Sequence, residues 1–416
     1  MGKRMRKKFK FSQVVTPAGS SSLRGEAMGN LVVYEPGEVL VEDGRILEVG
    51  SRTSEADYTE EFFGKTAIPG LVDAHNHLPF GGERVDEFQM KLRGLSYMEI
   101  ARAGGGIRST VKATREAGFE DLLEVSRRRA FWMVRNGTTT TEAKSGYGLN
   151  LEDEIKQLQV GRALGEVLPL DVVPVFLGGH DVPPDERKED YIERLTQEII
   201  PRVAEEGLSR YFDAFCEEGV YTPREVEVMF RAALDAGFKL RLHTDEFTHT
   251  GAIPMAVDLG AVSVDHILFA SSDDIEKLAA SETVAVVMPT VSFFLRMEKY
   301  APAREIIDRG GAVALGTDFN PGSSPALSMF FPLWLAVFKM GMSMEEALTA
   351  STLNSAHVLG LAREVGTLEP GKKADFLVLD LDDYRKIFYY FSEPRLTAVY
   401  KEGRRVISLP GQWESM

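Results

Sequence analysis

Residues 67–78 have the sequence AIPGLVDAHNHL, an apolar run that ends with His75 and His77. Such a run is typical of a strand in a parallel sheet, because helices cover both faces of that sheet and few positions meet water. Residues two apart on a strand face the same side, so the two imidazoles can converge on one ion. Two histidines at this spacing also arise often by chance, so the pair alone is weak evidence of a metal site.

Seven further apolar runs follow, and after each come small or polar residues and then a segment of helical periodicity. This alternation is the βα signature of a parallel sheet. Eight such units favour an α/β fold, a closed (β/α)8 barrel of the TIM type, with an open doubly wound sheet as the alternative because the sequence does not itself show closure. The seven runs are residues 137–144, 171–178, 211–216, 238–243, 261–267, 283–289 and 312–317.

Both flanks of the predicted barrel have short strands and turns, in residues 30–49 and again in residues 373–379 and 398–406. Each flank is too short to bury much core alone, so we expect both to meet in one small composite β-sandwich domain. The predicted bounds are 1–65 and 363–416 for the two parts of that domain and 66–362 for the barrel. Basic residues near the start are interpreted as a solvated tail: Lys3, Arg4, Arg6, Lys7, Lys8 and Lys10.

Charge and cysteine content exclude several classes of protein. The chain of 416 residues has 48 Lys and Arg against 63 Asp and Glu, a formal charge of −15, which disfavours a nucleic-acid partner. A single cysteine, Cys216, excludes an intramolecular disulfide framework and is compatible with a reducing compartment. The most apolar long segment, residues 329–338, is too short to span a bilayer. We therefore expect a cytoplasmic protein with no membrane partner.

Metal-binding side chains follow several of the predicted strands. His180, His243 and His266 close the third, fifth and sixth strands, and Asp318 closes the eighth. In a barrel these ends form one face, where active sites are built. Histidines scattered through a core would show no such preference, so the joint pattern favours a catalytic metal. Glu246 follows the fifth strand, where it can serve catalysis or, alternatively, supply the N-terminal charge of the next helix.

Longer motifs connect the chain to a known family. Residues 68–77 resemble the opening strand of the metal-dependent amidohydrolase superfamily, and residues 371–375 (GKKAD) resemble part of its composite β domain. Within that superfamily, further stretches resemble the imidazolonepropionase family, and the resemblance runs from about Met28 to Val406. The stretches are FGGER at 80–84, AGGGI at 103–107, KSGYGL at 144–149, HDVPP at 180–184, FCEEG at 215–219 and TDFNPG at 317–322.

The resemblance implies a ligand set, a cofactor and a substrate site. Metal ligands of one zinc or iron ion per chain would be His75, His77, His243 and Asp318. Catalytic residues would be Glu246, His266 and Asp318, with His266 holding the water that the ion acidifies. The substrate-binding residues would be Arg84, Tyr147, His180, Glu246, Asn320, Gly322 and Ser323. This ligand set is complete without Lys144, so we expect a structural or substrate-orienting lysine and not a carbamylated bridge between two metals.

The implied reaction is hydrolysis of a cyclic amide by metal-activated water. The implied substrate is a small anionic heterocycle, 4-imidazolone-5-propanoate, which opens to N-formimidoyl-L-glutamate in histidine degradation. Arg84 offers a fork that can hold the carboxylate of this substrate through two hydrogen bonds. The resemblance also points to a homodimer.

Four neighbours of the site depart from the family pattern: Asn76, Gly179, Asp181 and Thr244. Asp181 places a negative charge beside His180, which is expected to raise the pKa of that histidine or to disfavour an anionic substrate. An alternative function is a deaminase or another cyclic amidohydrolase acting on a heterocyclic ring. A second alternative is a non-catalytic binding protein on the same scaffold. The glycines at 104–106 are expected to form a flexible segment over the barrel mouth.

Overall fold

Five strands begin the chain in the computed structural model, which describes residues 5–95 and 105–409. In the first strand Phe9 and Phe11 are buried, while the alternating lysines face the other way and Lys10 pairs with Glu61 at 3.0 Å. The interpretation of residues 6–10 as a solvated tail is therefore wrong, and residues 3 and 4 lie outside the described residues. The strands are β1 (Arg6–Thr16), β2 (Val32–Tyr34), β3 (Gly37–Glu42), β4 (Arg45–Gly50) and β5 (Tyr58–Pro69), with a 3-10 helix at Gly25–Gly29.

Eight parallel strands form the central barrel, and their order in space follows their order in the chain. Strands such as VAVV and TTTTEAK are buried along their whole length, as expected where helices cover the outer face. The predicted α/β barrel fold is thereby confirmed. Its strands are β6 (Leu71–Asp73), β7 (Thr138–Lys144), β8 (Asp171–Gly179), β9 (Tyr211–Cys216), β10 (Lys239–Thr244), β11 (Ser263–His266), β12 (Val284–Val287) and β13 (Val313–Leu315).

Helices connect the barrel strands. The sequence explains where the helix Pro223–Asp235 begins. Proline at the first position loses no needed N–H, and Thr222 and Glu225 form a capping box. Within the described part of the chain, none of the helices has both the length and the apolar character to cross a membrane. The α-helices are Val85–Leu92, Ile107–Glu116, Phe119–Arg135, Leu151–Val167, Lys188–Arg194, Ile200–Glu206, Pro223–Asp235, Ile253–Asp258, Ser272–Ala279, Pro289–Phe294, Ala303–Asp308, Phe330–Met340, Met344–Thr349, Ser355–Val358 and Lys386–Tyr389, with π-helical turns at Leu195–Ile199 and Ala350–Asn354.

The two ends of the chain form one mostly antiparallel sheet beside the barrel, as expected. Three C-terminal strands, β14 (Phe376–Leu379), β15 (Leu396–Lys401) and β16 (Arg404–Ser408), join it, and β14 pairs with β5. The strand order is β16-β15-β14-β5-β1-β3-β4, and β2 pairs with β1. Aromatic rings from both ends build its core, because Phe9 contacts both Phe376 and Tyr400 at centroid distances of 5.1 and 5.2 Å.

The run at residues 67–78 belongs to two sheets. Its first residues end β5 in the β domain, and Leu71–Asp73 then begin the barrel, so the prediction of one continuous barrel strand is wrong. Gly70 makes the transition, and its N–H donates to the carbonyl oxygen of Asp375 at 3.0 Å. A Cβ atom at Gly70 would overlap the hydroxyl of Thr139 on the next barrel strand. The short link between domains therefore requires a residue with no side chain.

Backbone and side-chain hydrogen bonds join the first and last barrel strands. The N–H of Asp318 donates to the carbonyl oxygen of His75 at 2.8 Å, and that of His77 donates to Phe319 at 2.9 Å. Asp73 accepts from both the N–H and the hydroxyl of Thr317, at 2.9 and 2.6 Å. These contacts close the barrel, which excludes the open doubly wound sheet.

Replacing Gly70 with Ala is expected to lower the free energy of unfolding by about 1–3 kcal/mol, because the added methyl group overpacks the link against Thr139. Urea unfolding of the variant measures this loss. Gly29→Ala is the matched control, since a Cβ there meets no atom within 4 Å of the described structure. Equal stability of the two variants would contradict the steric role of Gly70.

Candidate active site

One cavity of about 320 Å³ lies at the carboxyl ends of the barrel strands. All but one of the residues predicted for the site line it, and the remaining one, His75, is fully buried against His243 at a ring distance of 4.4 Å. The predicted residues in the lining are His77, Arg84, Tyr147, His180, His243, Glu246, His266, Asp318, Asn320, Gly322 and Ser323. The lining also includes residues that the sequence did not indicate, namely Lys91, Ile107, Phe215, Phe247 and Leu295.

Potential ligand atoms converge at the inner end of this cavity. Oδ1 of Asp318 lies 3.1 Å from Nε2 of His77 and 3.4 Å from Nε2 of His75. Nε2 of His75, Nε2 of His243 and Oδ1 of Asp318 are buried and have no hydrogen-bond partner within the described residues. Buried polar atoms rarely stay without partners. This set of imidazole and carboxylate donors therefore fits a cation. Ligand atoms of His75, His77 and Asp318 lie within 4.8 Å of one another, and so do those of His75, His243 and His266.

Two buried carboxylates orient the histidines of this group. Oδ2 of Asp265 lies 2.6 Å from Nδ1 of His75, and Oδ1 of Asp213 lies 3.0 Å from Nδ1 of His243. A carboxylate at Nδ1 fixes the tautomer and leaves the Nε2 lone pair directed at the centre of the group. Sequence reasoning missed both acids. The available signal was an acidic residue inside each of two predicted barrel strands, within YFDAFC and SVDH.

A layer of paired charges lies behind these carboxylates. Nζ of Lys144 is 2.6 Å from Asp213 and 2.9 Å from Glu142, and Arg241 donates to Asp265 at 2.9 Å and also pairs with Glu142. All five side chains have no solvent exposure. Lys144 is therefore a structural residue that compensates two carboxylates. Although burial opposes ionisation, His243 and Lys144 hold the pKa of Asp213 well below its ordinary value.

Two side chains that face the cavity belong to residues with a strained backbone. His266 has a φ angle of 74° and Asp318 one of 51°, both in the left-handed region that non-glycine residues rarely adopt. Such conformations cost on the order of 1–3 kcal/mol each and persist only where the surroundings impose them. His266 ends β11 and Asp318 lies three residues past β13, and both side chains line the cavity.

Glu246 and His266 form a second polar group beside the ligands. Nε2 of His266 lies 3.8 Å from Oε2 of Glu246. Burial, reinforced by the charges of Asp318 and Glu217, raises the pKa of Glu246 well above its ordinary value, which favours the protonated carboxyl. Burial lowers the pKa of His266 to about 3, which keeps its imidazole neutral.

Glu217 fixes the turn that carries Glu246. Its carboxylate accepts from the N–H groups of Glu246, Phe247 and Thr248 at 2.9–3.0 Å, and also from the hydroxyl of Thr248. Three backbone amides on one carboxylate make a rigid turn. This residue, too, was not predicted, although it lies in the FCEEG motif.

The loop after the last strand is organised around Asn320. Its amide nitrogen donates to both the carbonyl and the carboxylate of Asp318, at 2.7 and 3.0 Å, and to Ser323 at 2.8 Å. Its amide oxygen accepts from the N–H groups of Gly322 and Ser323. Asn320 lines the cavity, but its hydrogen-bonding atoms all hold this loop.

Arg84 is held in place by Glu87. Its Nε and Nη2 both donate to Oε2 of Glu87, at 2.8 and 2.6 Å, which leaves Nη1 directed at Gly322. The other oxygen of Glu87 accepts from the N–H of Gly106 and the hydroxyl of Ser109. Gly322 lies so close that a Cβ atom there would overlap Nη1 of Arg84. The expected flexible segment at 104–106 lies partly outside the described residues, which resume at residue 105.

The aromatic wall of the cavity contains His180 and Tyr147, whose rings lie 5.1 Å apart. Nδ1 of His180 lies 2.8 Å from the carbonyl oxygen of Gly146, so Nδ1 carries the proton and Nε2 can accept one. Burial, reinforced by His243, lowers the pKa of His180 to about 4. The expected rise caused by Asp181 does not occur, because burial dominates.

The other departures from the family pattern have local structural reasons. A Cβ atom at residue 179 would overlap Ala214, which explains Gly179. The side chain of Asn76 lies inside the barrel and contacts the hydroxyl of Thr141. Thr244 turns its hydroxyl away from the cavity to Thr250 at 2.7 Å. None of these side chains is among the described residues that line the cavity.

Comparison with known proteins gives a consistent result. Residues 66–406 match the model of the amidohydrolase family. The imidazolonepropionase of Geobacillus sp. (strain WCH70) is 44% identical over 410 residues, which cover 95% of this chain and 96% of that relative. The imidazolonepropionase of Streptococcus gordonii (strain Challis) is 40% identical and covers 95% of this chain and 96% of its own length.

Solved structures agree at the level of the fold. The triazine hydrolase from Arthobacter aurescens superimposes with a TM-score of 0.71 and 17% sequence identity, and the match covers 97% of this chain and 95% of that one. An identity this low establishes a shared fold only.

Replacing Asp265 with Asn is expected to weaken metal binding about 10- to 100-fold, because His75 loses the carboxylate that fixes its tautomer. Competition with a chelator measures the metal affinity. Asp308→Asn is the matched control, since Asp308 is exposed and pairs with Arg304 on the surface. Unchanged affinity in Asp265→Asn would show that the carboxylate does not orient the ligand.

Proposed function

Because the chain belongs to the imidazolonepropionase family of the amidohydrolases, we propose that it opens 4-imidazolone-5-propanoate to N-formimidoyl-L-glutamate. The main support for this proposal is that two parts of one cavity differ in chemistry. His77, His243 and Asp318 line its inner end with His75 buried behind them, and its wall contains Nη1 of Arg84. A cyclic amide with an attached carboxylate can place its amide at this cluster and its carboxylate at Arg84.

The four clustered residues would hold one zinc or iron ion, since imidazole and carboxylate suit both metals. When bound, such an ion lowers the pKa of water and polarises a carbonyl oxygen, which are the requirements for attack on an amide. Asp213 and Asp265 keep the histidine tautomers that this ligation needs.

Proton transfer falls to residues beside this cluster. Asp318 accepts the proton that the attacking water loses as its oxygen bonds to the ring carbonyl carbon, and the neutral His266 holds that water in place. As the C–N bond breaks, Glu246, whose raised pKa favours its protonated form, donates a proton to the ring nitrogen. The lowered pKa of His266 and the raised pKa of Glu246 therefore support a division into base and acid.

Substrate orientation uses the wall of the cavity. The free Nη1 of Arg84 binds the carboxylate of the propanoate arm, since charge-assisted hydrogen bonds are the strongest available in such a site. Nε2 of neutral His180 accepts from a ring N–H, and the hydroxyl of Tyr147 completes this side. Gly322 and Ser323 bound the cavity next to Arg84.

The proposal includes a cytoplasmic homodimer with one metal ion per chain. The single cysteine supports the reducing compartment. The family resemblance supports the dimer, for which light scattering is the direct measurement.

The activity is tested with freshly generated 4-imidazolone-5-propanoate, whose ultraviolet absorbance is lost on ring opening. We expect rapid loss that a chelator abolishes, with metal near one ion per chain. Ammonia release from aminated heterocycles, without ring opening of this substrate, would instead establish the deaminase alternative. A full metal site with neither reaction would contradict both functions.

Replacing Glu246 with Gln is expected to lower turnover about 100-fold or more, because the ring nitrogen loses its acid. Turnover of the unmodified enzyme should fall as pH rises through the raised pKa of Glu246, where the acid loses its proton. The Gln variant should lack that decline. Metal analysis checks that the ion is retained, and the surface variant Glu227→Gln is the control. Near-normal turnover in Glu246→Gln would remove this residue from the mechanism.

A further inference from the structure

The charged residues of the cavity are separated by sign. Among its described lining residues, the carboxylates are Glu246 and Asp318, which lie beside His266 and the ligand cluster. The strong bases are Arg84 and Lys91, both at the helix Val85–Leu92. The proposed function uses Arg84 but gives no role to Lys91, a half-buried lysine that faces the same cavity.

Lys91 lacks the ion pair that a half-buried ammonium group normally has. Within residues 5–95 and 105–409, no carboxylate oxygen lies within 4.0 Å of its Nζ atom, whose contact there is the carbonyl oxygen of Gly322 at 2.8 Å. The nearby carboxylate of Glu87 is already bonded to Arg84, Gly106 and Ser109. Burial, and then the positive charge of Arg84, lowers the pKa of Lys91. An anion between Arg84 and Lys91 would offset both the burial of the Lys91 charge and its repulsion by Arg84.

Gly322 brings the two cations together. Lys91 donates to its carbonyl oxygen, and Nη1 of Arg84 occupies the space that a side chain at residue 322 would fill. Arg84 uses Nε and Nη2 on Glu87, and within residues 5–95 and 105–409 its Nη1 has no hydrogen-bond acceptor and faces the cavity. A carboxylate has two oxygens, and one nitrogen from each cation matches them.

We propose that Lys91 is a second binding residue for the substrate carboxylate, paired with Arg84 across Gly322. The inference rests on the proposed function for the identity of the substrate. It predicts that Lys91 determines specificity for anionic heterocycles, since it contacts the carboxylate arm and not the reacting amide.

Lys91→Met keeps the length and apolar stem of the side chain and removes its charge. In the metal-loaded enzyme, we expect KM for 4-imidazolone-5-propanoate to rise about 10- to 100-fold, as for loss of a hydrogen bond to a charged group, with kcat changed less than about threefold. Lys91→Arg should restore most of the loss. Lys112→Met, at an exposed lysine paired with Glu116, should have no effect.

A binding measurement separates this inference from the proposed reaction. Imidazole-4-propanoate, which has no amide to hydrolyse, and its neutral primary amide are titrated into each variant. Weaker binding of the acid alone in Lys91→Met supports the inference, even if the unmodified enzyme fails to open the imidazolone and the proposed function falls. Equal binding of the acid by the unmodified enzyme and by Lys91→Met overturns the inference. Equal weakening for acid and amide also overturns it, because Lys91 would then act only by holding the Gly322 loop.

Discussion

Mutual compensation of five buried charges is the constraint on which the rest of this structure depends. Glu142, Lys144, Asp213, Arg241 and Asp265 come from four of the five consecutive barrel strands β7 to β11 and have no solvent exposure. An ionised group left unpaired in such a place would cost several kcal/mol, so the layer is stable only in the register that the closed barrel gives it. The imidazoles of His75 and His243 contact this layer through Asp265 and Asp213. Stability of the barrel and orientation of the ligands are therefore properties of one network.

The loop from Asp318 to Ser323 joins the two ends of the cavity. Asn320 donates to the carboxylate of Asp318 and accepts from the N–H groups of Gly322 and Ser323. The positions of the Asp318 carboxylate and of the wall beside Arg84 therefore depend on one side chain. Because this loop is internally bonded, the separation between Asp318 and the wall that contains Arg84 is set by the protein. Under the proposed function, a substrate must match that separation, which favours one length of acidic arm.

Much of this arrangement could be predicted from the order of residues, because carboxyl ends of parallel strands must meet on one face. His180, His243, His266 and Asp318 all satisfied that rule. The partners behind them could not be predicted, since the contact of Asp265 with His75 depends on the register of strands far apart in the chain. Motif resemblance likewise identified Arg84 but not Glu87, which fixes its side chain. The strand character of residues 6–10 was hidden because lysines dominated a pattern that two buried phenylalanines determine.

The division of residues 67–78 between two sheets has a consequence for how the protein is made. Strand β5 needs β14 as a neighbour, and β6 needs the residues that follow β13, so both sides of Gly70 await segments that are synthesised much later. His75 and His77 therefore reach their final surroundings only after Asp318 and Phe319 have been synthesised. Such long-range pairing slows folding and leaves the first strands exposed for longer. Metal uptake by the proposed ligand set would accordingly follow the synthesis of Asp318.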